Sequence, residues 1–128
     1  MEEQLRALLT GSAAITALVP AGRINWIAHP QGQPWPGIVL HLINRNGDHT
    51  LDGPSGIGPA RVQVDCWARN YLQAKQIGRA VESVLDGYHG GPFMGVFLAG
   101  VRDGREGADT ADRPFRSSLD FIVRHRSN

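Results

Sequence analysis

Arg61-Val62-Gln63-Val64-Asp65-Cys66-Trp67 alternates apolar and polar residues, and two residues later the chain changes period: Asn70-Tyr71-Leu72-Gln73-Ala74-Lys75-Gln76-Ile77-Gly78-Arg79-Ala80-Val81-Glu82-Ser83-Val84-Leu85-Asp86-Gly87. The first stretch predicts a strand with one buried face. Asn70 predicts a helix N-cap, with Gln73 at the third helical position of a capping box. Ala74, Ile77, Val81, Val84 and Leu85 fall on one helical face, and Gly87 suits the left-handed residue that ends such a helix. This strand-into-helix unit, Ala60 to Gly87, is the strongest local signal in the chain. The other segments are read as the strands and helices that complete its core.

Downstream, Met94 to Val101 predicts a strand whose glycines permit bends or bulges. Gly104 to Asp112 predicts a charged loop. Phe115, Ser117, Leu119, Phe121 and Val123 alternate with Arg116, Ser118, Asp120 and Arg124, the pattern of a long half-buried strand. Upstream, Glu2 and Glu3 favour a helix start and Leu5, Leu8 and Leu9 line one side of that helix, which Gly11 ends. Ser12 caps a second short helix, Ala13 to Leu18. Arg23 to Ile27 predicts a short strand. His29 to Gly37 carries Pro30, Pro34 and Pro36, which restrict it to extended and turn conformations. Ile38 to Ile43 is apolar except for His41 and predicts a central strand buried on both faces. Asn44 to Pro59 predicts a long polar loop, of a length often tied to function.

The order is ααβββαββ. Hairpin-type connections favour a mainly antiparallel sheet of four or five strands, with one long helix and the short N-terminal helices on one face, an α+β fold. A helix from Tyr71 to Leu85 is about 22 Å long, enough to cross such a sheet. Gly78 costs about 1 kcal/mol there relative to alanine, which predicts a close approach between helix and sheet.

A chain of 128 residues is expected to form one domain, 1–128, with long loops near 44–59 and 103–113. The net charge of +1 argues against a dedicated nucleic-acid binder. Lys75 is the only lysine, so the base content is almost entirely arginine, a residue favoured at protein interfaces. Cys66 is the only cysteine, which excludes an internal disulfide framework. The acidic start Met1-Glu2-Glu3 is unlike a secretory leader, and no apolar run approaches the ~20 residues of a membrane span. A soluble protein made in the cytosol is expected.

The residues suggest no catalytic, metal or cofactor site. His29, His41, His49, His89 and His125 are scattered without zinc-site spacing. Cys66 falls on the Val62 and Val64 face, where a small buried thiol is the default and a nucleophile would lack access. Asp48, His49 and Asp52 share one loop, but it lacks the fixed turn and terminal glutamate of a calcium hand. A solvated or partner-binding loop is the simpler reading. Gly53 to Gly58 is followed by a strand, not by the helix a phosphate loop or nucleophile elbow requires. Trp35, between Pro34 and Pro36, serves either as a docking surface or as packing under the sheet edge.

Several strings resemble a known family. They are Arg23-Ile24, Pro30-Gln31-Gly32, Pro36-Gly37-Ile38-Val39-Leu40, Ala74-Lys75, Ala80-Val81, Leu85-Asp86-Gly87, Phe115-Arg116 and Leu119-Asp120-Phe121. The most specific is Thr50-Leu51-Asp52-Gly53-Pro54-Ser55-Gly56 leading into Arg61 to Ala68. Together they resemble the tail-completion proteins of long-tailed phages, prophages and gene-transfer particles, the tail terminator or tail-to-head joining group. The departure is Trp26 to Pro36, with its extra tryptophan and proline.

The resemblance implies a curved sheet flanked by helices and a non-enzymatic structural virion protein without cofactor. It implies a hexameric ring on the end of the tail tube that stops polymerisation and joins the head connector. The implied partners are further copies of the chain, tail tube protein and a head–tail connector or stopper, with DNA only in transit and no membrane. Ring closure is heterologous, so two different surfaces must match. One is assigned to the 46–58 loop, with Asp48, His49, Leu51, Asp52 and Ser55; the other to Arg102, Arg105 and Arg113, with Trp35 a further contact. Two alternatives stand beside this: a head-side stopper, and a small metal- or thiol-dependent enzyme using Asp48, His49, Asp52 and Cys66.

Overall fold

The computed structural model describes residues 2–45, 57–105 and 114–126, with side chains excepted at 44, 45, 57, 58, 105 and 126. Helices α1 (Glu2–Thr10) and α2 (Ala13–Thr16) come first, then strands β1 (Ile24–Trp26), β2 (Gly37–Arg45) and β3 (Ile57–Ala68). Helix α3 (Tyr71–Leu85) and strands β4 (Phe93–Arg105) and β5 (Phe115–Arg126) follow. The fold is α+β, a five-stranded sheet in the order β1-β2-β3-β5-β4. Neighbours pair antiparallel except β1 and β2, which run parallel.

The strand–helix unit forms as its pattern dictates. Asn70 accepts a 2.8 Å hydrogen bond from the Gln73 backbone N–H, and Gly87 takes φ 82 just past the helix. Ser12 caps α2 through the Ile15 N–H. Ala74, Ile77, Val81 and Leu85 of α3 are buried against Val62, Val64 and Cys66 of β3 and Leu119, Phe121 and Val123 of β5. Leu5, Leu9, Ile15 and Val19 join the same cluster, so all three helices cover one face. Gly78 is buried, and a Cβ there would sit 3.2 Å from Ser117 Oγ and 3.4 Å from Leu119 Cδ1. The close helix–sheet approach is real.

Three expectations are corrected. β2 is not central, and only Ile38, Val39 and Leu40 are buried. Leu42 and Ile43 are 40% and 52% exposed, because β1 pairs only with Ile38–Leu40 and leaves the rest of β2 at an edge. The β1–β2 connection is not a hairpin: the proline loop brings Ile38 beside Ile24, which makes the pair parallel. The strands also run further into the expected loops. β2 continues to Arg45, β3 begins at Ile57 and β4 continues to Arg105.

Candidate interaction surface

Alternation in β3 sends Arg61, Gln63, Asp65 and Trp67 to the face that no helix covers. Register places Val39, Asp65, Ser118 and Arg102 in one row across β2, β3, β5 and β4, with His41, Gln63, Asp120 and Gly100 in the next. Asp65 is the hub. Its Oδ1 accepts from Ser118 Oγ at 2.6 Å and from Gln63 Nε2 at 2.8 Å, and its Oδ2 lies 3.4 Å from His41 Nε2. Arg102 extends the network at its edge, 3.4 Å from Gln63 Oε1 and 3.6 Å from Asp120 Oδ2. Asp65 and Ser118 are 3% and 2% exposed, an unusual depth for polar groups on an uncovered face, and both are satisfied.

A serine, a histidine and an aspartate meet here, but in the wrong order for nucleophilic catalysis. The carboxylate stands between the other two and takes the Ser118 hydroxyl proton's hydrogen bond itself, where a triad needs histidine in the middle as base. The arrangement cross-links four strands and makes the face rigid and polar.

One end of this face is covered. Trp35 stacks on His29 with ring centroids 4.0 Å apart and lies 5.5 Å from the Trp67 ring, over which the Arg116 guanidinium sits at 5.3 Å. Gly37 permits this layer, since a Cβ there would overlap the His29 imidazole. Trp35 is half-buried in it. Arg102 is exposed at the β4 edge, its side chain 67% accessible. Arg105 ends β4, with only its backbone described. Asp48, His49, Leu51, Asp52, Ser55 and Arg113 lie outside the described residues, so the structure brings none of them together with Arg102.

On the helix face, Asp103 accepts from Tyr71 Oη at 3.0 Å and from Lys75 Nζ at 3.2 Å. Desolvation raises its carboxyl, but the hydrogen bonds from Tyr71 and Lys75 outweigh that and hold it below the usual carboxylate range. Cys66 is fully buried, and burial first, then the neighbouring Asp65 charge, push its thiol far up. Among the described residues no group of histidine, cysteine, aspartate and glutamate has the geometry to hold a metal ion, and no helix is long and apolar enough to cross a membrane.

Residues 3–126 match the family model described as Tail completion protein gp17. Among solved structures, a chain from the virion of a native gene transfer agent particle superposes with a TM-score of 0.69 at 22% identity, over 96% of this chain and 92% of that one. A second solved chain superposes with a TM-score of 0.53 at 15% identity, over 100% and 99% of the two chains. At these identities both share the fold. No curated protein matches the chain. The match over nearly the whole sequence, on a sheet whose helix-free face carries a rigid polar network, means that the chain belongs to the tail completion protein family of phage-type virions.

Proposed function

We propose that this protein caps the tail tube as a hexameric ring, stops tube polymerisation there and offers the head connector a surface to dock on. The family match across residues 3–126 carries the reading. The fold shared with a chain of a gene transfer agent virion agrees with it. The protein then works as one structural unit, by contact and not by catalysis. The Asp65-centred network supports that role, since a ring protomer needs a stiff body from which its contacts extend. The 46–56 and 106–113 segments, with Asp48 and Asp52 in one and Arg113 in the other, supply further contacts between neighbours or to the tube. At a net charge of +1, DNA is expected to pass through the channel without being recognised by sequence.

The test is the mass of the protein in solution, alone and with tail-tube protein. Ring formation triggered or stabilised by tubes is the expected result. A monomer indifferent to tubes would sink the reading, and copurification with portal-capped heads in place of tubes would move it to the head-side stopper role. Asp52→Lys tests the loop contact on its own: ring yield should fall, and an unchanged yield removes Asp52 from the interface.

A further inference from the structure

Charge divides between the two faces of the sheet. Register puts Arg61, Arg102, Arg116 and Arg124 on the helix-free face of β3, β4 and β5, against two acids, Asp65 and Asp120. On the helix-covered side of the same strands the only described aspartate, glutamate, lysine or arginine is Asp103, which pairs with Lys75. The helices over that side are balanced, with Glu2, Glu3 and Glu82 against Arg6, Lys75 and Arg79. The net charge of +1 conceals a local excess of positive charge on the uncovered face.

The two acids of that face are already engaged. Asp65 is almost wholly buried and accepts from Ser118 and Gln63, and Asp120 lies 3.6 Å from Arg102. The other three arginines have no acidic partner. Arg61 and Arg124 are exposed, with no hydrogen bond or ion pair among the described residues. Arg116 is half-buried over the Trp67 ring, and its Nε has no hydrogen-bond partner. Arg61 stands opposite Ile122 and Arg124 opposite Pro59, so the two free arginines are diagonal neighbours about 7–8 Å apart. From Arg116 to Arg124 the face runs about 27 Å along β5, the length of about eight base pairs of duplex.

The surface between these arginines is polar. Gln63, Ser118 and His41 stand there, and β3 and β5 expose no large apolar side chain. A protein partner would bury little apolar area against it. Guanidinium groups hold phosphate by two parallel hydrogen bonds, and protein–DNA interfaces are more polar and more positive than protein–protein ones.

We propose that the helix-free face contacts the phosphate backbone of duplex DNA without reading its sequence, and so turns toward the channel of the ring. This rests on the ring reading above and adds which side of the protomer meets the DNA. Arg61 and Arg124 make the main contact, with Arg116 further along the face. The Asp65 network then has a second use: it keeps a carboxylate below a surface that phosphate approaches.

The experiment titrates the protein into short fluorescein-labelled duplexes of two unrelated sequences and follows anisotropy from low to physiological salt. Both duplexes should bind equally, with log K falling linearly in log salt. Changing Arg61→Gln and Arg124→Gln together should weaken binding about tenfold at low salt and reduce the salt slope by about 2. Arg79→Gln, on the exposed side of α3, should change neither. The urea midpoint of the double variant should match wild type; if it falls, the single variants carry the test, each with a slope lower by about 1. Wild-type protein that binds no duplex at low salt, or binding that survives the arginine changes or is weakened equally by Arg79→Gln, overturns this face and leaves the ring reading standing. So does a double variant that binds DNA normally but no longer assembles on tubes, since these arginines would then be a protein contact. Protein that binds duplex through Arg61 and Arg124 yet never assembles on tubes supports the surface and sinks the ring.

Discussion

Ser118 and Asp65 face each other directly across the β3–β5 pair, and the serine hydroxyl donates a 2.6 Å hydrogen bond to the carboxylate on the helix-free face of the sheet. Both groups are almost fully buried, so neither can exchange its partner for water. Asp65→Ala leaves the Ser118 hydroxyl and the Gln63 amide without their acceptor, and should cost about 2 kcal/mol in urea unfolding. Adding Ser118→Ala should cost less than the sum of the single changes, with a coupling of about 1 kcal/mol. Strict additivity would mean that the two side chains do not work as a unit.

Cys66 lies next to this hub in sequence but on the opposite face, wholly inside the core. Burial and the Asp65 charge both raise its thiol, so almost no thiolate exists near neutral pH. Native protein should resist maleimide at pH 7 for hours, and the same protein in denaturant should label fully. Rapid labelling of the native form would reopen the thiol-enzyme reading.

Local pattern made α3 legible to the residue, because cap, apolar stripe and stop signal all agree at Asn70, Ile77 and Gly87. The direction of β2 was not legible. It depends on where the loop after Ile27 delivers the chain, and Ile38–Ile43 reads as apolar but for His41 whether β1 covers all of it or only its first half. The polar network was invisible for a different reason. Asp65 reads as one more outward residue of an alternating strand, and its partner Ser118 is 53 positions away. Nothing in either local string marks the pair. The acidic loop residues quoted for the interface remain outside the described part of the chain, whereas Arg102 stands exposed at the open edge.

Gly37 looks like an ordinary residue after proline, yet the His29 and Trp35 rings occupy the space its side chain would need. Gly37→Ala should push this aromatic layer off the sheet and cost about 1–3 kcal/mol. Tryptophan emission should shift to the red as Trp35 and Trp67 gain water. Unchanged stability and emission would show that the loop has a second, equally good seat.

Asp103 ties β4, an edge strand of the sheet, to α3 through Tyr71 and Lys75. Its carboxyl is held below its ordinary value of 3.8. A lowered carboxyl adds stability that is complete above the unfolded value and is lost as pH falls through the folded one. The pair is well exposed, so solvent screening limits the contribution to about 0.5 kcal/mol. Asp103→Asn should therefore be slightly less stable than wild type at pH 7, and the gap should close as the pH falls through the lowered folded value, beneath the ordinary 3.8. High salt should narrow it at neutral pH as well. A gap that stays constant from pH 7 to pH 2 would mean that the carboxylate's charge contributes nothing and that Tyr71 alone makes the link.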